Sequence, residues 1–358
     1  MKLIYLIDTL YKAGGMERIL TEKANSLSRD YGYDVLIVTN HQRGRKLFFP
    51  LESGVRHIDI DVNYRMPWLM RRYLKKLARV MDEEKPDVLI SMCGKELPYL
   101  DRLPDTCIKM AEFHFCRDMY RIKGQESRLK AMDKAVSGLD CFVVLTEEDA
   151  GRWQSKCRRV EHIYNPSFAA DTGSEILADI PKRCIAVGRL EKQKNFGDLL
   201  DVWSLVHVRH PEWTLDIYGN GRQKKRLEKR IAELGLVGSV HILPATRQIA
   251  HEMRASALLL MTSIYEGFPL VMVEAASLGL PCISYRCPCG PGEFIENGRN
   301  GYTVDVGDVK AMAEHICECI ENPSALAEMR LGSRQKASGF TVSGIMKQWD
   351  TLLRTLRK

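Results

Sequence analysis

The sequence predicts an α/β protein built from two doubly wound parallel sheets, and three observations carry that reading. Short apolar runs alternate with helix-length segments through the first half. The alternation stops at "YNPSFAADTG", residues 164–173. It then restarts and continues towards the end of the chain. With 358 residues, 45% of them hydrophobic, there is enough apolar surface to fill the cores of two ordinary domains.

The first half opens with the strand "KLIYLID", the loop "TLYKAGGMERI" with its Gly14–Gly15 pair, a helix to about Tyr31 and a second strand, "DVLIVTN". This is a β-loop-α-β unit with glycines in its first turn. Further strands are expected at "DVLISM", "CIKMAEF" and "CFVVLT", separated by helical stretches. The second half repeats the plan with strands "CIAVGRL", "WTLDIYG", "SVHIL", "ALLLMTS" and "PCISY". A helix is expected over Leu270 to Leu278, started by Pro269 and stopped by Gly279 and Pro281. Apolar residues surround it on every side, so it is expected to be buried, with Glu274 as its only charge. The tail "TVSGIMKQWDTLLRTLRK" reads as a final amphipathic helix packing across the domain junction. The resulting division is 1–166, 167–340 and 341–358, with the carboxyl edges of the two sheets facing one cleft.

Composition excludes several classes. No stretch approaches the ~18 apolar residues of a membrane span, and the first residues enter a strand directly, without a signal peptide, so a cytoplasmic protein is expected. The eleven cysteines are odd in number and scattered, as in a reduced compartment. Neither Cys287 with Cys289 nor Cys317 with Cys319 has the spacing of a zinc site, and no metal is expected. Asp59 and Asp61 in "IDID" have a DxD spacing, but strand-like alternation makes them a surface face. Net charge is +7, and residues 1–166 hold 29 cations against 24 anions. Much of that surplus lies in "YRMPWLMRRYLKKLARV", residues 64–80, with six basic residues and no acid. At helical spacing this makes a basic amphipathic face that suits an anionic membrane surface, or equally an ordinary packed helix with a solvated side. Without a recognition motif, nucleic acid is not an expected partner.

The chemistry concentrates at sheet edges. Glu266 follows "ALLLMTS" in a Gly267–Phe268–Pro269 loop, at the carboxyl edge where α/β proteins bind ligands. The amides of Leu270 and Val271 open the next helix and favour an anion. In "VGRLEKQKNF", Gly188 leads to Arg189 and Lys194, two cations that would clamp a diphosphate from the opposite side. Gly219 in "YGNGRQ" gives the next loop a close backbone approach, and Gly14 and Gly15 do the same in the first half. Acceptors for hydroxyls beside donors for phosphate describe a site for a nucleotide sugar. His114 in "AEFHF" follows a strand of the first half and is expected to reach the cleft from the other wall.

Together, "GRLEKQKNF", "YEGFPLVMVEAASLGLPCIS" and "AGGMER" resemble the retaining glycosyltransferases of family 4, which have the GT-B fold of two Rossmann-like domains. The resemblance implies that the first domain serves the acceptor and the second the nucleotide sugar. It implies that Glu274 binds the ribose hydroxyls, that Glu266 lies near the donor sugar, and that Arg189 and Lys194 bind the diphosphate. The glycine pair matches Gly14 and Gly15, and the histidine near the transferred hexose matches His114. "CPCGPGEFIENGRNGYTV" is similar to the corresponding segment of bacterial enzymes that build capsule, O-antigen or lipooligosaccharide. The expectation is transfer of a hexose or N-acetylhexosamine, from a UDP-sugar by preference, to a growing lipid-linked glycan, without cofactor or metal. A nucleotide-sugar epimerase of related fold and a non-catalytic nucleotide-sugar-binding scaffold are the alternatives. A dinucleotide-dependent oxidoreductase lacks its glycine fingerprint here.

Overall fold

The computed structural model describes residues 1–62, 67–169 and 181–356. Residues 64–66 of the basic stretch therefore lie outside the described residues. The chain forms two compact units, Met1–Asn165 with Ser343–Lys358, and Pro166–Val342.

The first unit holds a seven-stranded sheet of β1 (Lys2–Ile7), β2 (Asp34–Thr39), β3 (Val55–Asp59), β4 (Val88–Ser91), β5 (Ile108–Phe113), β6 (Cys141–Val144) and β7 (Val160–His162), in the order β3-β2-β1-β4-β5-β6-β7. Every pairing is parallel; Leu3 lies opposite both Val35 and Val88. The central strands are apolar because helices cover both faces. The sequence reading found five of the seven strands and missed β3 and β7 as strands of the sheet. Both are edge strands, neither uniformly apolar, and β7 has only three residues, none of them fully buried.

The second unit holds six parallel strands: β8 (Arg183–Val187), β9 (Thr214–Tyr218), β10 (Val240–Leu243), β11 (Leu258–Met261), β12 (Cys282–Tyr285) and β13 (Gly301–Val304). Their order is β10-β9-β8-β11-β12-β13. The core on one side is built from Leu199 and Trp203 against Leu215 and Ile217, with Met312 and Ile316. In each unit strand order reverses beside the first strand, between β1 and β4 and between β8 and β11, which is where a doubly wound sheet opens a crevice.

The expected terminal helix forms over Val342–Leu356, and from Ser343 onward it counts with the first unit. There the Tyr33 hydroxyl donates to Asp350 at 2.8 Å. The basic helix runs over Pro67–Glu84, with Met70, Tyr73, Leu74 and Leu77 buried in its own unit. Asp59, half of the DxD spacing, ends β3 and accepts hydrogen bonds from the Thr39 hydroxyl at 2.9 Å and the Arg43 amide at 3.0 Å. Among the described residues no group of three His, Cys, Asp or Glu is placed to hold a metal ion, and no helix is long and apolar enough to cross a membrane.

Candidate active site

In the second unit, β8 and β11 are hydrogen-bonded neighbours, with Cys184 opposite Leu258. The loops leaving their carboxyl ends, some seventy residues apart in sequence, are thus side by side. Thr262, just after β11, donates its hydroxyl to the carbonyls of Lys194 (3.1 Å) and Asn195 (3.0 Å). Gln193 donates to the Tyr265 carbonyl at 3.0 Å, and the Ile264 amide donates back to Gln193 O at 3.0 Å. This lacing carries Lys194 to Glu266: Lys194 Nζ donates to Glu266 Oε1 at 2.6 Å, with the two side chains only 16% and 8% exposed. Arg189 is exposed on the same loop and donates to Gln193 Oε1 at 3.3 Å.

The helix after this loop, Leu270–Ser277, follows directly on Pro269, which is its extended N-cap rather than a residue of its first turn. The expectation that it is buried all round needs correcting. Met272, Val273, Ala275, Ala276 and Ser277 are buried, but Leu270, Val271 and Glu274 are only half-buried. At positions i, i+1 and i+4 these three share one face, and they are the helix residues singled out for nucleotide contact. Glu266, off the helix, is the more deeply buried acid, at 6% exposure. The first amides of any helix have no partner within it, so the start at Leu270 and Val271 adds a partial positive charge beside the Lys194–Glu266 pair.

The glycines and Phe268 also have packing roles within the protein. A Cβ on Gly219 would run into the Gly188 carbonyl oxygen, and one on Gly221 into the Leu190 backbone. A Cβ on Gly188 would in turn press on the Lys194 side chain. These glycines therefore let protein loops close on one another and seat Lys194. Gly267 and Phe268 are both buried. The Phe268 ring points into the core, stacked on Phe340 at 5.5 Å and edge-on to Phe294 at 6.2 Å.

In the first unit, Gly14 is the extended N-cap of the Gly15–Tyr31 helix. The helix start is occupied by the chain's own Glu17, whose carboxylate fills the space a Cβ on Gly14 would need and whose pKa is raised by burial. His114 follows β5, its side chain 4% exposed, with Nε2 3.4 Å from Glu112 Oε2. Glu112 also pairs with Lys23 of the Gly15–Tyr31 helix; the two side chains are 2% and 1% exposed. The Lys23 ammonium lies 3.9 Å from the centre of the Trp349 ring and 5.3 Å from that of Tyr5. Sequence reasoning missed this pair. Its signal was an acid inside the apolar strand "IKMAEF", two residues before His114.

Residues 173–336 match the model of the family described as glycosyl transferases group 1. An amylovoran biosynthesis glycosyltransferase from Erwinia amylovora is 28% identical over 366 residues, spanning 98% of this chain and 99% of that one. The chain has the GT-B fold, and the family match and the relative's name support glycosyltransferase activity. A Campylobacter jejuni α-1,4-N-acetylgalactosaminyltransferase, whose name specifies an undecaprenol-diphosphate-linked acceptor, is 24% identical over 99% of this chain and 98% of its own. HepE of Anabaena, solved with UDP and glucose, superposes with a TM-score of 0.78 at 20% identity, over 99% of this chain and all of that one. The region matched by the family model contains Arg189, Lys194, Glu266 and Glu274, so the ion pair and the half-buried helix face both lie within it.

Proposed function

We propose that this chain is a glycosyltransferase that moves a hexose or N-acetylhexosamine from a UDP-sugar to a lipid-linked glycan, with retention at the anomeric carbon, in bacterial surface polysaccharide assembly. The observation that carries the reading is the Lys194–Glu266 pair, at the edge where β8 and β11 meet and beside the helix start at Leu270. A carboxylate, two cations and helix amides at one edge supply both halves of nucleotide-sugar recognition. Arg189, Lys194 and the amides stabilise charge developing on the departing diphosphate without a metal. When the diphosphate arrives, Lys194 turns from Glu266 to a phosphate oxygen or bridges the two, which frees Glu266 to accept from a sugar hydroxyl. Glu274, on the open helix face, accepts from the ribose hydroxyls. The acceptor hydroxyl gives its proton to a departing phosphate oxygen.

The names of the relatives support a polysaccharide or lipid-diphosphate-linked acceptor, and the HepE complex supports UDP. The test is a panel of nucleotide diphosphate sugars with lipid-linked saccharide acceptors, read by nucleotide release and by the anomeric configuration of the product. Acceptor-dependent release from a UDP-sugar, giving a product with the donor's configuration, is expected. Release without any acceptor-linked product, or an inverted product, overturns the reading.

A further inference from the structure

The first unit contains a cavity of about 690 Å³ at the carboxyl ends of β4 and β5, a size typical of small-molecule sites. Its composition is unusual in two ways. Five methionines line it: Met16, Met70, Met92, Met119 and Met132, all but Met16 buried. With Leu97 and Phe113 they give an apolar, adaptable surface that fits flexible hydrocarbon chains. At the exposed margin stand three cations, Lys95, Lys123 and Arg128, brought by the segment after β4, the end of the Asp118–Ile122 helix and the Glu126–Ser137 helix. Among the described residues that line the cavity there is no carboxylate. His114 lines the same cavity, with Tyr99, Phe115 and Tyr120 offering aromatic surface to a sugar.

We infer that this cavity binds the acceptor as an anionic amphiphile, with a diphosphate held by Lys95, Lys123 and Arg128 and the adjoining hydrocarbon on the methionine surface. The inference rests on the proposed transfer to a lipid-linked glycan and assigns the residues that recognise the lipid-diphosphate end. Three cations on three segments, with no acid among them, complement a group of two or more negative charges better than a single sugar carboxylate. Neither a neutral oligosaccharide nor free diphosphate would use both surfaces.

The test is direct binding, with excess UDP present so that any phosphate site of the second unit is filled. The probe is a decyl diphosphate ester of N-acetylglucosamine; decyl N-acetylglucosaminide and inorganic diphosphate are the comparison ligands. The probe is expected to bind tightest, and a Lys95→Ser/Lys123→Ser/Arg128→Ser variant is expected to lose about tenfold or more in its affinity. The neutral glycoside should bind that variant and the wild type equally. Met119→Ser should weaken both decyl ligands while leaving inorganic diphosphate unchanged. Circular dichroism and the UDP affinity of each variant check that it is folded.

Equal binding of the probe to wild type and triple variant overturns the inference, as does failure of the wild type to bind it. Inorganic diphosphate binding as tightly as the probe points to a phosphate site alone and also overturns it. Loss of UDP binding by the wild type itself would count against the proposed donor site and leave this cavity's assignment to be judged on the probe alone.

Discussion

Lys194 shows how one side chain links fold to chemistry. Its ammonium is held by Glu266 in a mostly buried setting, above Gly188 and at the end of a loop laced to the segment after β11. Replacing Lys194 or Arg189 with Ala removes a cation that the proposed clamp directs at the leaving diphosphate. Each is expected to lower turnover by the equivalent of about 2.7–4 kcal/mol, by comparison with the loss of one oxyanion donor. Steady-state kinetics with unchanged circular dichroism checks this, and near-wild-type turnover in both variants would remove the clamp. Lys23 and Glu112 make a second residue-scale case, one of stability. Burial works to raise the Glu112 carboxyl, but Lys23 and then His114 outweigh it and hold the group below its ordinary range. Burial lowers Lys23, with Glu112 opposing. A carboxyl depressed in the folded state contributes stability that is present above its unfolded value of about 4.3 and is lost as pH falls through the folded value. The melting temperature of the wild type should therefore fall more steeply below about pH 5 than that of a Lys23→Met/Glu112→Leu variant, in which both charges are gone. Glu112→Leu alone strands a buried ammonium and should cost about 3–5 kcal/mol in denaturant unfolding.

At the scale of elements, the loops of the second unit depend on glycines that exclude side chains from one another's path. Gly221→Ala places a methyl against the Leu190 backbone, which cannot move without shifting the Arg189–Lys194 loop. The expected loss is about 1–3 kcal/mol of stability, with weaker UDP binding, read by denaturant unfolding and calorimetry. Unchanged values would mean that the loop yields without cost. The Pro67–Glu84 helix makes a different point. Its apolar face is committed to the core of its own unit, and Lys76 donates to the Ile60 carbonyl at 2.7 Å. Exposed over residues 68–79 are Trp68, 69% exposed, with Arg71, Arg72, Lys75 and Arg79, while Asp82 and Glu83 are exposed in the last turn. A membrane contact made by this surface is electrostatic rather than inserted, at about 1 kcal/mol per basic residue. Co-sedimentation with anionic but not neutral liposomes is expected, abolished by salt and by changing the four exposed cations to Gln. Equal sedimentation of wild type and variant would assign the charges to solvation.

For the molecule as a whole, each unit reverses strand order beside its first strand and gathers its notable residues at the carboxyl ends around that point. The proposed donor chemistry uses cations and helix amides in place of a metal. Activity is expected to survive EDTA, and UDP should raise the melting temperature whether or not EDTA is present. A requirement for added magnesium or manganese in either measurement would contradict the proposed clamp.

The sequence by itself determined the alternation of strands and helices, the break near residue 164, ten of the thirteen strands, and the loops that carry Arg189, Lys194 and Glu266. These features are legible because central strands of a parallel sheet must be apolar and their carboxyl-end loops need glycine, proline and polar residues. Edge strands escape that demand, so β3, β7 and β13 were not recognised as strands of their sheets. Only tertiary structure decided which residues meet. Lys194 reaches Glu266 because β8 and β11 pair, a consequence of strand order that no local pattern encodes. The open face at Leu270, Val271 and Glu274 depends on what packs against the helix, and an apolar composition alone suggested burial on every side. The union of Lys23 with Glu112, and of five methionines with three cations around one cavity, joins segments distant in sequence. Side-chain chemistry is written locally, but the partner of each charge is fixed by the packing of the sheet and its helices.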